Sequence, residues 1–431
     1  MDNNYGGENR DNPGGGEETR EDTIGENREF NNGEGGGSSP EEKKPWYLIP
    51  TVTVTKDYNP YRDGESVFAE TVKASEGAFR GAKQLENEDP VTFYHRRRWE
   101  WGFARMQAKK RLGKSSKYTS ALLIAYLFLI NFFPLCLCFA FSETVVTVTM
   151  TVLQYVLIPM TVLLLANIGQ KHKVFTFFKK PKASWFFVLK WSVMALGLTY
   201  AVSMLSSLFF YAVQLLGVNV NDLAQPIPDS PWMLLLEFFM VVIAAPIFEE
   251  LIFRGVLLTH HMKYGCWHSI IVTAVLFGLF HQNHRQMFYA MALGVLFGYI
   301  DVKSGSIIPS VIAHVTINLY SFLISFSLYF TNYNETLSDP TLGVAGPPLV
   351  MMLVGLLDVS VYALMIISVV MLIYEVYKNK SEFQLPKGDS FLTEKEKATA
   401  FFTHPVTVIL LVILAISIYV VSFSPPITVT V

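Results

Sequence analysis

Long apolar runs fill the chain after residue 117, where nine of them are separated by shorter polar stretches. Most runs are close to the roughly 20 residues that a helix needs to cross a bilayer. The predicted spans cover residues 118–141, 145–168, 184–216, 231–258, 268–281, 286–301, 305–329, 346–376 and 405–424. The fifth and sixth runs are short and together predict a hairpin. The expected fold is all-α, a polytopic transmembrane helix bundle of about eight to nine spans.

Composition agrees with this pattern, because 51% of the 431 residues are hydrophobic and only 16% are charged. That balance is far from the one of an ordinary soluble domain. Residues 1–45 are rich in Gly, Asn and Glu and predict a disordered acidic tail. We interpret residues 46–117 as a cytoplasmic N-terminal region with a basic juxtamembrane segment, and residues 118–424 as the bundle. The three cysteines lack metal-ligand spacing, so no disulfide framework is expected.

Charge is distributed unevenly along the chain, and this predicts the topology. Residues 96–117 carry nine Lys and Arg beside Trp and Phe, which is typical of a segment that binds anionic lipid; nucleic acid is disfavoured as a partner. The positive-inside rule then places the N terminus in the cytoplasm. Later loops agree, since residues 377–402 contain five lysines whereas residues 331–346 contain no Lys or Arg. We expect an integral protein of the plasma membrane.

The fourth apolar run contains the sequence "FEELIFRG", which includes Glu249, Glu250 and Arg254. An ionisable group inside the bilayer costs at least roughly 2.5–3.5 kcal/mol on insertion scales, so it indicates a functional site. Glu250 and Arg254 are four residues apart and can pair on one helical face. Glu249 is left without that partner, which suits a group that takes and releases a proton.

Two further motifs place histidines in the apolar runs. In "FGLFH", Phe277 and His281 are four residues apart, and in "HVTIN" so are His314 and Asn318; each pair therefore shares a helical face. At 1.5 Å per residue, Glu249 and His314 each lie roughly 14 Å from the cytoplasmic end of their spans, and His281 somewhat deeper. The polar turn "HQNHRQ" between the short runs must line a cavity within the protein. The sequence thus predicts one intramembrane site on three helices.

Other interpretations of these polar residues stay open at this point. Isolated His and Asn residues often hold transmembrane helices together without chemistry. A proton-coupled transporter could use Glu249 and His281 as a relay, although no inverted repeat is visible.

The three motifs resemble those of the CPBP family of intramembrane proteases, also called the Abi or type II CAAX prenyl endopeptidase family. The matching sequences are "EELIFR" for the pattern EExxxR, "FGLFH" for FxxxH and "HVTIN" for HxxxN, in the family's order. Close similarity covers about residues 231–325, and the rest of the chain carries no family signature. The resemblance implies an endopeptidase that cuts a membrane-associated protein or peptide near the cytoplasmic face. A non-catalytic immunity or scaffold protein that keeps the motifs is the alternative.

The resemblance also implies roles for the residues. Glu249 would be the general base that activates a water, His281 and His314 would hold that water, and Asn318 would stabilise the oxyanion. Glu250, Arg254 and Phe277 would support the site. Two His and one Glu could also bind Zn²⁺, which would then be held by Glu249, His281 and His314, as in an intramembrane metalloprotease. The HExxH spacing of soluble zinc proteases is absent, and a metal-free, glutamate-activated water is favoured.

Overall fold

A computed structural model of the protein describes residues 90–137, 143–168, 179–221, 227–228, 230–385 and 391–424. The predicted tail at residues 1–45 lies outside the described residues, as does the following region as far as residue 89. The chain divides into two compact units, residues 1–106 and 107–431. The cavity and the motifs all belong to the second unit, so the functional argument concerns that unit alone.

The described residues form helices joined by short loops and contain no strand. The helices are α1 (Pro90–Leu137), α2 (Glu143–Val152 and Ile158–Ile168, joined by the π segment Leu153–Leu157), α3 (Trp185–Leu215), α4 (Pro231–Tyr264), α5 (Cys266–Phe280), α6 (His284–Ser304), α7 (Ile308–Leu328), α8 (Tyr333–Ser338), α9 (Pro348–Lys378), α10 (Glu394–Phe402) and α11 (Pro405–Phe423). Short 3₁₀ helices cover Pro340–Leu342 and Lys380–Phe383.

Within the described part of the chain, seven helices are long and apolar enough to cross a membrane, namely α2, α3, α4, α6, α7, α9 and α11. Helix α5 is apolar but shorter, as the predicted hairpin requires. The predicted first span, 118–141, lies on α1 and is helical as far as Leu137, where the described residues end. The polytopic, all-helical prediction is confirmed. Its count of about eight to nine spans is approximate, because it includes the short helix α5 and a first span whose end lies outside the described residues.

Helix α4 changes its hydrogen-bonding pattern twice around the two glutamates. A π segment, Phe238–Ala244, precedes them, and a second one, Leu251–Leu258, follows them. The first π segment ends just before Pro246, which has no N–H to donate to the turn before it. The π segment of α2 likewise ends just before Pro159. Missing proline donors therefore explain two of these wide turns, and such turns are frequent at functional sites.

Small residues let the helices around the site approach closely, as in many membrane bundles. A Cβ on Gly294 of α6 would lie 2.6 Å from the Cα of Ala274 on α5. A Cβ on Gly197 of α3 would clash with the carbonyl oxygen of Leu364 on α9. Two clusters of buried apolar side chains lie in the bundle, one of which contains Phe253 and the other Phe297. Helix α9, by contrast, exposes most of its apolar side chains, as a lipid-facing helix does.

Candidate active site

One cavity of about 430 Å³ lies among helices α1 to α7. Its lining includes Glu249 from α4, His281 from the end of α5, and His314 and Asn318 from α7. The residues that the motifs singled out are therefore brought together around one space, although they lie on different helices. The turn after α5 also faces this cavity, because Gln282 belongs to the lining. The expectation that this polar turn lines a cavity is met.

Glu250 and Arg254 form the pair that their spacing predicted. Arg254 Nη1 donates to Glu250 Oε1 over 3.0 Å, and the two residues are 1% and 0% exposed, respectively. The same carboxylate oxygen also accepts a hydrogen bond from His314 Nδ1, again at 3.0 Å. A buried carboxylate that binds Nδ1–H holds the imidazole in one orientation and one tautomer. The pair therefore orients His314, a contact that sequence spacing could not indicate.

Glu249 faces the other nitrogen of the same histidine. Its Oε2 lies 3.9 Å from His314 Nε2, which is too long for a direct hydrogen bond. Oε2 is buried and has no hydrogen-bond partner among the described residues, while the side chain as a whole is 27% exposed. Nδ1 of His314 carries the hydrogen of its bond to Glu250. When the ring is neutral, Nε2 therefore presents a lone pair. Two acceptors thus face each other across a gap that a small donor molecule can bridge.

His281 is held by the turn between α5 and α6. Its Nδ1 donates to the Phe277 carbonyl over 2.8 Å, which leaves Nε2 as an acceptor when the ring is neutral. Gln282 follows with φ 56°, a left-handed conformation that is uncommon outside glycine. Asn283 then caps α6 by accepting from Gln286 N–H, and its amide donates to the His281 carbonyl. These bonds satisfy the polar turn inside an apolar environment.

Phe277 lies beside the charged pair and both histidines. The guanidinium carbon of Arg254 lies 4.3 Å from the centre of its ring, which is a cation–π distance. The rings of His281 and His314 meet it nearly edge-on, with centroids 4.9 Å and 6.1 Å away. Phe297 is a second aromatic neighbour of Arg254, at 5.3 Å. The phenylalanine of the FxxxH pattern therefore packs against the charged pair and separates the two imidazoles.

Asn318 has a structural contact as well as a place in the cavity wall. The Val241 carbonyl would accept from the N–H of Ala245 in an α-helix or of residue 246 in a π-helix. Ala245 N–H instead donates to Met240 O, and Pro246 has no N–H, so neither donor is available to Val241. Asn318 Nδ2 donates to that carbonyl over 2.8 Å. The amide has a second N–H, which remains for a bound group. Sequence reasoning missed this contact, although a proline inside the apolar run signals an unsatisfied carbonyl nearby.

A further carboxylate near the motifs was also missed. Asp301 on α6 is 4% exposed and accepts a hydrogen bond from Ser310 Oγ over 2.8 Å. It is near enough to Glu250 and Arg254 for their charges to act on it. An acidic residue at the end of an apolar run was the signal available in the sequence.

The residues do not fit the predicted metal alternative. Across the described helices and loops, no group of three or more His, Cys, Asp or Glu side chains is arranged to hold a metal ion. The geometry gives the metalloprotease interpretation no support.

The helices and the cavity define an integral membrane protein whose carboxylate and histidine side chains meet within the bundle. Residues 231–320 match the family model described as type II CAAX prenyl endopeptidase Rce1-like. The matched segment contains all three motifs, and the resemblance predicted from them is confirmed for this domain. Searches of curated proteins and of solved structures found no match. Residues 231–320 are thus similar to the domain of CAAX-protease-like membrane endopeptidases.

Proposed function

We propose that the protein is an intramembrane endopeptidase in which Glu249 activates a water to hydrolyse a peptide bond. One observation carries this proposal. Within the cavity, Glu249 Oε2 and His314 Nε2 face each other at a distance of 3.9 Å. The family match at residues 231–320 supports the reaction class. The substrate is a membrane-associated protein or peptide, because the cavity opens within helices long enough to span a bilayer.

A water between the two acceptors completes their hydrogen bonding. Its two O–H groups donate to Glu249 and to His314, which fixes the direction of its lone pairs. His314 keeps this orientation because its other nitrogen is bound to Glu250, which Arg254 neutralises. The water is therefore oriented and polarised before a substrate arrives, as efficient general-base catalysis requires.

In the reaction, the water oxygen bonds to the scissile carbonyl carbon while its proton passes to Glu249. The free N–H of Asn318 donates to the oxyanion of the tetrahedral intermediate. The carbon–nitrogen bond then breaks, and Glu249 returns the proton to the leaving amine, so that one water is consumed per bond cut. His281 faces the same cavity and binds the water or the amine through Nε2.

The side of the membrane on which cutting occurs is part of the proposal. Glu249 lies about ten residues before Thr259, where the polar end of α4 begins, which corresponds to roughly 14–15 Å of helix. The basic residues near the first span favour a cytoplasmic position for that end, in the plasma membrane. We therefore place cleavage in the cytoplasmic half of the bilayer.

The test compares protein termini in membranes that contain wild-type protein, Glu249→Gln or Glu335→Gln. Glu335 is exposed on the short helix α8 and does not line the cavity, so it provides the same chemical change away from the site. New termini should appear with wild type and Glu335→Gln and be absent with Glu249→Gln. Identical termini in all three samples would contradict the enzyme and leave the scaffold alternative.

A chelator separates the two forms of the mechanism. Because the cavity side chains form no metal-binding group, cleavage by the purified protein should be unchanged in 1,10-phenanthroline. Loss of cleavage that added Zn²⁺ restores would instead establish a metal site.

A further inference from the structure

The cavity contains a second carboxylate that the proposed reaction does not use. Glu237 of α4 belongs to the lining, and its Oε2 is buried without a hydrogen-bond partner among the described residues. A carboxylate left without a donor inside a bilayer is costly, so its presence indicates a bound group.

Contacts between α4 and α7 show where Glu237 lies relative to the reacting groups. Glu249 faces His314, Val241 contacts Asn318, and the ring of Phe238 lies 5.2 Å from that of Phe322. As residue numbers fall along α4 they rise along α7, so the two helices run antiparallel. Glu237 therefore lies at the far end of the cavity from Glu249.

The wall between these two ends is polar. On α7 it contains Ser321 and Ser325 beyond Asn318, and on α2 it contains Gln154 and Tyr155. Tyr155 lies within electrostatic range of both Glu237 and Glu249. The N–H and C=O groups of a peptide backbone need hydrogen-bond partners inside a membrane. The polar side chains along this wall can provide such partners between the two ends of the cavity.

The charge of this cavity selects its occupant. Glu237 and Glu249 belong to the lining, and no Lys or Arg does in the part of the chain that is described. Low-dielectric walls of one charge sign concentrate ions of the other sign. We infer that Glu237 binds the side chain of a Lys or Arg residue of the peptide substrate, while the scissile bond lies beside Glu249. This inference rests on the proposed function.

The spacing of the carboxylates predicts where that basic residue lies in the substrate. Twelve residues of helix separate Glu237 from Glu249, a distance of roughly 18 Å. An extended peptide advances roughly 3.3–3.6 Å per residue. The Lys or Arg should therefore lie about four to six residues from the cleaved bond, on one side of it only.

The experiment measures binding apart from cleavage. The probes are short, fluorescent, apolar peptides whose only charged residue is one lysine, placed at a different position in each peptide. Matched peptides carry uncharged norleucine in place of the lysine. Peptide affinity for the purified Glu249→Gln variant in detergent is measured by fluorescence anisotropy. The same measurement is made on three double variants, in which Glu249→Gln is combined with Glu237→Gln, Glu237→Asp or Glu335→Gln. We expect lysine at the favoured positions to strengthen binding about tenfold. The preference should be lost in Glu237→Gln, recovered in part in Glu237→Asp and kept in Glu335→Gln.

Unchanged affinity for the norleucine peptides shows that each variant is folded. A lysine preference that survives in Glu237→Gln, or no preference at any position, would overturn the inference. Cleavage by wild type without a lysine preference refutes the subsite alone. A preference that depends on Glu237 in a protein that cuts nothing supports the subsite and refutes the proposed reaction.

Discussion

Glu249 and Glu250 are neighbours in the chain, yet their carboxylates have different surroundings. Glu250 is fully buried and binds Arg254 and His314 through one oxygen. Glu249 faces the cavity, and its Oε2 has no such partner among the described residues. The difference arises because adjacent residues on a helix point about 100° apart, so one carboxylate faces neighbouring helices while the other faces the cavity.

This difference predicts separate effects of the same substitution. Glu250→Gln removes the negative charge that balances the buried positive charge of Arg254. Breaking a buried ion pair in this way costs about 3–5 kcal/mol of stability, so both folded yield and activity should fall. Glu249→Gln removes no pairing and should abolish cleavage with near-normal yield. Size-exclusion yield, melting temperature and cleavage assays measure the two effects. Equal losses of yield would contradict the division of roles.

Asn318 should show a mixed effect. Asn318→Ala removes the proposed oxyanion donor, which typically costs about 10²–10³ in rate. It also leaves the Val241 carbonyl without its donor, which costs about 1–3 kcal/mol of stability. Cleavage rates are measured at a temperature where the variant is folded, together with its melting curve. A lower melting temperature with an unchanged rate would show that Asn318 is structural only.

At the scale of elements, the hairpin of α5 and α6 positions His281. These helices touch through backbone, since a Cβ on Gly294 would lie 2.6 Å from Ala274 Cα. Gly294→Leu should force them apart and destabilise the protein by at least about 1–3 kcal/mol, as overpacking does elsewhere. The melting temperature in detergent measures this change.

Gly355 on α9 provides the matched control, because a Cβ there would meet no atom of the described residues within 4 Å. Gly355→Leu should leave the melting temperature close to that of wild type. A similar fall in both variants would indicate an effect of side-chain size alone and not of helix contact.

For the whole molecule, the charge pattern predicts opposite sides for the two loops that flank α9. Ser338, the last residue of α8, and Ser381, in the 3₁₀ helix after α9, are exposed in these connecting segments. Cysteines introduced there, in a background without native cysteines, should react with an impermeant maleimide from outside at position 338 and only after permeabilisation at position 381. Native cysteines are replaced by serine so that only the reporter reacts.

The reverse labelling pattern would invert the topology, with the N terminus outside. Labelling of both positions from one side would mean that α9 does not cross the membrane. The reverse pattern would also move the proposed cleavage site out of the cytoplasmic half of the bilayer.

The sequence by itself determined the all-helical membrane fold, and it indicated that Glu249, His281 and His314 share one site. Helices in lipid must satisfy their own backbone, so apolar runs of the right length predict them directly. The spacing of Glu250 and Arg254 predicted their pair, because such contacts depend only on helical periodicity. The three motifs indicated a family that the match at residues 231–320 then confirmed for this domain.

Tertiary structure alone decided how the motifs meet. The bond from His314 to Glu250, the bond from Asn318 to Val241 and the place of Glu237 in the same cavity all join residues that helix packing brings together. Periodicity orders residues within one helix, whereas the register between helices depends on close contacts such as the one at Gly294. Those contacts form only when the whole bundle packs, which is why no single segment of the chain could reveal them.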